Sequence, residues 1–182
     1  RPEWANLLLN YGHRGPDRHR AADQALALAK RWPDDEGLLY QAQRTLLWDG
    51  RVEAAREVFE RWRQVAGASP QQASSSSIPP ARQASAEGRC DEVERLLASL
   101  PPSDLSQRWH LLMLLDRRKE AEQSLMKLER DGNSQALAGY LNYRQFDPSP
   151  YPSLVRAMQR ENIQRPPPVP LPFACKRPEA TP

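Results

Sequence analysis

The 182-residue chain is 39% hydrophobic and 27% charged, proportions that argue against a disordered or membrane-spanning protein and allow a core without help from metal or disulfides. Twenty-six Lys and Arg against 23 Asp and Glu leave a net charge of +3, too small and too dispersed for a phosphate-backbone binder. The two cysteines exclude a disulfide scaffold, and runs such as Leu7–Leu9 and Leu111–Leu115 fall short of the ~20 apolar residues of a membrane helix, so no membrane insertion is expected of this segment. Beginning at Arg1 without a methionine, the chain reads as a domain of a longer protein.

Helical hairpins follow one another from the first residue. Trp4, Leu7, Leu8 and Tyr11 lie at helical spacing, then Gly15 in a turn, then Ala21, Ala25 and Leu28, and Pro33 closes a unit of residues 1–35. Residues 36–69 repeat this layout: Leu39, Ala42 and Leu46, a turn at Asp49-Gly50, then Val52, Ala55, Phe59 and Trp62. Gly15 and Gly50 are 35 residues apart. Asp34-Asp35 and Asp91-Glu92 stand where helices start, suited to free N–H groups and the helix dipole.

In the third unit, residues 70–101, the Ser74–Ser77 run and Pro79-Pro80 oppose a continuous first helix. The expectation is a loop, then a short helix beginning near Pro80, a turn at Gly88 and a second helix carrying Val93, Leu96, Leu97 and Leu100. The fourth unit, residues 102–132, has Ser103 as its expected N-cap, Leu105, Trp109 and Leu112 on one helix, a turn at Asp116-Arg117, and Ala121, Leu125 and Leu128 on the next. The fifth, residues 133–163, carries Ala136, Leu137, Tyr140 and Leu141 facing inward, a turn at Phe146-Asp147-Pro148, and Leu154, Val155 and Met158.

From about Phe146 the composition changes: ten of the 18 prolines lie in the last 37 residues and no glycine follows Gly139. Residues 164–182 should form an extended, polyproline-like tail, because Pro166 to Pro172 fixes its own φ angles and disfavours helix before each ring. With Leu171 and Phe173 as apolar anchors, that tail can cap the last unit, block the inner face lined by the first helices of the hairpins, serve as a disordered linker or offer a ligand to a proline-reading domain. If it folds back along the hairpins, Cys90 and Cys175 can form a disulfide in an oxidising compartment. Two free thiols are the other state.

The hairpin pattern resembles the tetratricopeptide repeat, a unit of ~34 residues. Trp4, Leu7, Tyr11 and Gly15 match, as do Ala21 and Pro33 after one inserted turn residue, and Gly50, Ala55 and Phe59 in the second unit. Trp62 stands where the family has a small residue, and Leu8, Gln43 and Trp109 occupy its close-approach position. The resemblance covers about residues 1–131. It implies an all-α, right-handed α-α superhelix of about five hairpins, with first helices lining a concave face that takes a protein or peptide. On that face it places Ala5, Leu9, Gly12 and His13, then Tyr40, Arg44, Leu47 and Trp48, then Ser106, His110, Met113 and Leu114. Leu9, Tyr40, Arg44, Trp48 and His110 are the candidate partner-binding residues. Ala5 and Leu9 stand where some family members carry a carboxylate clamp of Lys and Asn. The Phe146-Asp147-Pro148 end resembles the closing unit of repeat domains in bacterial signalling and transcription-regulatory proteins, which implies a sensory or scaffolding role in cytoplasm or periplasm.

Enzyme chemistry finds no foothold in the sequence. His13, His19 and His110 with two cysteines give no zinc-ligand spacing, and nucleophile-elbow, zincin, P-loop and dinucleotide motifs are missing, so neither metal nor cofactor is expected. The cluster His13-Arg14 to Arg18-His19-Arg20 opposes the dipole of a helix start and reads as surface or as an anion contact. A helical-repeat module for single-stranded RNA is the alternative, which the low net charge disfavours.

Overall fold

The computed structural model describes residues 3–5, 17–68 and 76–175, and within them the chain is all-α. Helices α1 (Arg18–Arg31), α2 (Glu36–Trp48) and α3 (Val52–Ala68) precede α4 (Ile78–Ala86) and α5 (Cys90–Ser99). Then come α6 (Leu105–Leu114), α7 (Arg118–Arg130), α8 (Ser134–Ala138) with a 3-10 turn over Gly139–Asn142, and α9 (Pro152–Arg160). Most of the first predicted helix, with Leu9, His13 and Arg14, lies outside the described residues.

Local chemistry sets the boundaries. Asp17, Asp35, Asp104 and Asn133 each cap a helix by accepting from a backbone N–H three residues on, Asp35 from Leu38 at 2.7 Å. The expected cap Ser103 is displaced by its neighbour: Asp104 accepts from the Gln107 backbone N–H at 3.1 Å and from the Gln107 side-chain amide at 2.7 Å. The two donations from Gln107 engage both carboxylate oxygens, which a single hydroxyl cannot do. Helix α4 admits Pro79 and Pro80 because they fall in its first turn, where no intrahelical N–H bond is lost. It starts two residues before Pro80.

Three hairpins share one turn. After α2, α4 and α6 the chain passes through a left-handed residue, Gly50 (φ 76°), Gly88 (φ 75°) and Asp116 (φ 54°). The following arginine N–H closes the turn, Arg51 on Leu46, Arg89 on Ala84 and Arg117 on Leu112, at 3.0, 2.8 and 2.9 Å. Each arginine also meets a carboxylate, Asp49 and Asp23, Glu87, and Glu94 and Glu120 respectively.

Helices pack on their neighbours in sequence, and α2, α4 and α6 also touch in series, as do α7 and α9. The outer helices bury one stripe, as α3 does with Ala55, Val58, Trp62 and Ala66. The inner three are enclosed. Helix α2 buries every residue from Ala42 to Trp48, and α6 every residue from Trp109 to Leu114. A helix with neighbours on both flanks hides two faces; the third is covered by the tail, which turns back after α9.

Candidate functional site

Polar residues mark the covered face. Among the described residues every buried polar or charged side chain, Gln43, Arg44, Thr45, Arg82, Gln83, Ser85 and His110, sits on α2, α4 or α6. Arg44, Arg82 and His110 occupy one structural position, each six residues before the left-handed residue that ends its hairpin turn, Gly50, Gly88 and Asp116. Three consecutive hairpins therefore aim a cationic or imidazole group at one place.

Arg44, Trp48 and His110, three of the expected partner-binding residues, line a common cavity with Ile78, Arg82, Leu114, Tyr143, Gln145, Leu171 and Phe173. Tyr40 joins through Arg82, whose guanidinium lies 4.6 Å from the Tyr40 ring centre and donates to its hydroxyl at 3.2 Å. The sequence reading omits Arg82 because the serine run and Pro79-Pro80 interrupt the third unit; the signal for it is the six-residue offset from Gly88. The face expected to take a partner is covered by the tail, one of the placements the sequence allows. Leu171 and Phe173 form its roof, and Arg44, Trp48, Arg82 and His110 are each no more than 5% exposed.

The tail is held at successive points. The Val169 N–H donates to the Arg144 carbonyl at 2.9 Å, the Ser85 hydroxyl to the Phe173 carbonyl at 2.6 Å, and the Cys175 N–H to the Leu114 carbonyl at 2.7 Å. Phe173 meets Trp48 edge-on at 6.1 Å, while Arg18 and Arg144 approach the same indole at 5.5 and 5.6 Å. A disulfide joins Cys175 to Cys90, with Cα atoms 5.9 Å apart, and so ties the tail to the start of α5. Residues 164–175, the described part of the expected tail, contain no helix, as the proline spacing predicts, and residues 176–182 lie outside the described residues. The tail neither caps the last unit alone nor hangs free; it crosses from the fifth unit to the second.

Burial holds His110 neutral. Desolvation, then the positive charge of Arg82, lowers its pKa to about 3, against the raising effect of the Ser106 carbonyl 2.8 Å from Nδ1. The ring protonates near pH ~6.5 in the unfolded chain, so between those values the unfolded state binds the extra proton and stability falls as pH drops. Glu87 acts later: burial alone would raise its carboxyl, but hydrogen bonds from Gln83, Arg56 and Arg89 outweigh this and hold it at about 2, so its contribution is lost only below the ordinary carboxylate range. Urea midpoints in chloride-free buffer should show a loss of about 2 kcal/mol between pH 7 and 5. His110→Gln should remove that loss, and an unchanged pH slope in the variant would contradict the assignment.

Among the described residues no cluster of three His, Cys, Asp or Glu side chains could hold a metal, and no helix is long and apolar enough to cross a membrane. The sequence matches no protein-family model, and comparison with curated proteins and with solved structures returns no significant relative.

Proposed function

We propose that the chain is a non-enzymatic interaction module, a tetratricopeptide-like superhelix that binds an extended protein segment on the face built by α2, α4 and α6. The observation that carries this reading is the tail itself. An extended, proline-rich segment already lies on that face, held through three hydrogen bonds to or from its own main chain and by Phe173 against Trp48. Contacts of this kind grip a backbone irrespective of most of its side chains, while an aromatic slot supplies selectivity. The repeated hairpin turn and the serial packing of α2, α4 and α6 support the superhelical reading. The Cys90–Cys175 bond supports an oxidising compartment, of which the periplasm is the bacterial example. A sensory or scaffolding part within a regulatory protein suits such a face.

The test uses a peptide of residues 164–175 in trans. A tethered tail competes at roughly millimolar effective concentration, so the host should be the full chain with Cys175→Ser and Phe173→Ala, which weaken its own tail. Fluorescence anisotropy should show saturable peptide binding that falls at least about tenfold with Trp48→Ala, the loss of one buried aromatic anchor. Peptide that fails to bind this host, or binds the Trp48→Ala host equally, would overturn the reading. Electrophoretic retention of single-stranded RNA with steep salt dependence would favour the nucleic-acid alternative.

A further inference from the structure

The cavity under the tail has an unfilled polar requirement. Arg82 Nη1 and His110 Nε2 are both sealed from solvent, and neither has a hydrogen-bond partner. Both residues are 4% exposed, and among the described residues lining the cavity none is Asp or Glu. A guanidinium N–H left without an acceptor at such a depth is costly, and the Arg44 charge beside it makes the wall more positive. The space is small, about 20 Å³, where a single water needs roughly 10–15 Å³ on the same scale.

We propose that this cavity is a binding site for one small monovalent anion, of the size of chloride or bromide, held between Arg82 and His110 with Arg44 as a further positive charge. Water would satisfy the hydrogen bonds but bring no charge to offset the Arg82 guanidinium, which faces no carboxylate of the cavity lining. An anion satisfies both requirements, and charge-assisted bonds in a low-dielectric pocket are stronger than neutral ones. A nucleotide, a sugar phosphate or a whole amino acid is too large for the space.

His110 determines how the anion enters. Its Nδ1 faces the Ser106 carbonyl, an obligate acceptor, so the proton of the neutral ring is on Nδ1 and Nε2 presents a lone pair. A halide can sit against Nε2 once that nitrogen takes a proton from solvent and becomes a donor. The ion and the proton therefore enter together, one negative and one positive charge from water, with no bond broken in the protein. The charged groups that act on the imidazole are Arg82 on α4, Arg44 on α2 and Asp104 at the cap of its own helix; Tyr143 lies against its ring, and the tail adds the apolar Leu171 and Phe173. The two arginines keep the empty site unprotonated, and an anion between them reverses that balance.

The proposal goes beyond partner binding and its failure leaves the peptide experiment untouched. Thermal unfolding of the oxidised full chain is measured in sodium chloride against sodium gluconate at one ionic strength, gluconate being too large to enter. Chloride should raise the wild-type Tm saturably by roughly 5 °C, more at pH 5.5 than at pH 7.5, and blunt the acid-induced loss of stability. Arg82→Met should abolish the chloride effect, and His110→Gln should retain chloride binding without its pH dependence. Crystals grown in bromide should show an anomalous peak against Arg82 and His110. Equal Tm values in the two salts, an unchanged chloride response in Arg82→Met, or water at the site in bromide-grown crystals would each overturn the proposal. If Arg82→Met does not fold, the His110→Gln pH comparison and the bromide peak decide.

Discussion

Replacing Trp109 with alanine is expected to destabilise the protein by about 4 kcal/mol and to lower its Tm by roughly 10–15 °C, with no ligand present. Trp109 is 2% exposed and is the hub of an aromatic cluster, with Tyr140, Tyr143 and Phe146 at 5.1, 5.5 and 5.9 Å and the His110 ring at 4.9 Å. Phe146 in turn stacks on Tyr151 at 5.6 Å, so the indole links α6 to the segment that carries the fifth unit and the root of the tail. Truncation removes the largest fully buried side chain and leaves rings that cannot all collapse onto the gap, the condition under which large-to-small changes are most damaging. Trp109→Phe keeps a ring in the cluster and should lose less than half as much. Urea titration of both variants checks the ordering. A loss under about 1 kcal/mol for alanine would mean that the fifth unit docks without this cluster.

Local chemistry was legible in the sequence because it depends on near neighbours. Gly50 and Gly88 announce turns that need positive φ, Pro79-Pro80 can sit only in a first turn, and Asp35 precedes an apolar helix as a cap should. Even the shift of the cap from Ser103 to Asp104 is a one-residue competition between two capping side chains. All-α packing of successive hairpins followed from the 3.6-residue spacing of Leu39, Ala42 and Leu46 and its counterparts. What the residues leave open is the fate of the inner face, since a tail that blocks it, caps the last unit or hangs free fits the same sequence. Arg44, Arg82 and His110 look like ordinary helix-surface residues, and their burial depends on where residues 163–175 land. That landing is fixed by contacts far apart in sequence, such as Ser85 to Phe173 and to Cys175, 88 and 90 residues away. Two cysteines state no pairing by themselves; the distance between their Cα atoms does.

Opening the Cys90–Cys175 bond is the second large effect, an expected loss of about 4.5 kcal/mol in the chain-entropy account, because the bond closes a sequence separation of 85 residues in the unfolded chain. The figure belongs to the unfolded state, so reduction of the wild type and the double replacement Cys90→Ser, Cys175→Ser should lower the urea midpoint alike. The native face responds differently. Without the bond the end of the tail keeps its main-chain bonds to Ser85, Leu114 and Arg144 and the Phe173–Trp48 contact, a few anchors against the freedom of an extended segment. Amide exchange at Cys175 and Val169 should then accelerate well ahead of exchange in α2 and α6, a local opening that uncovers Trp48, Arg82 and His110 while the hairpins stay folded. Should the reduced protein keep both its midpoint and the protection of the Cys175 amide, noncovalent contacts alone would hold the tail. Any partner segment would then have to displace the tail by affinity, with no covalent step deciding when the face is open.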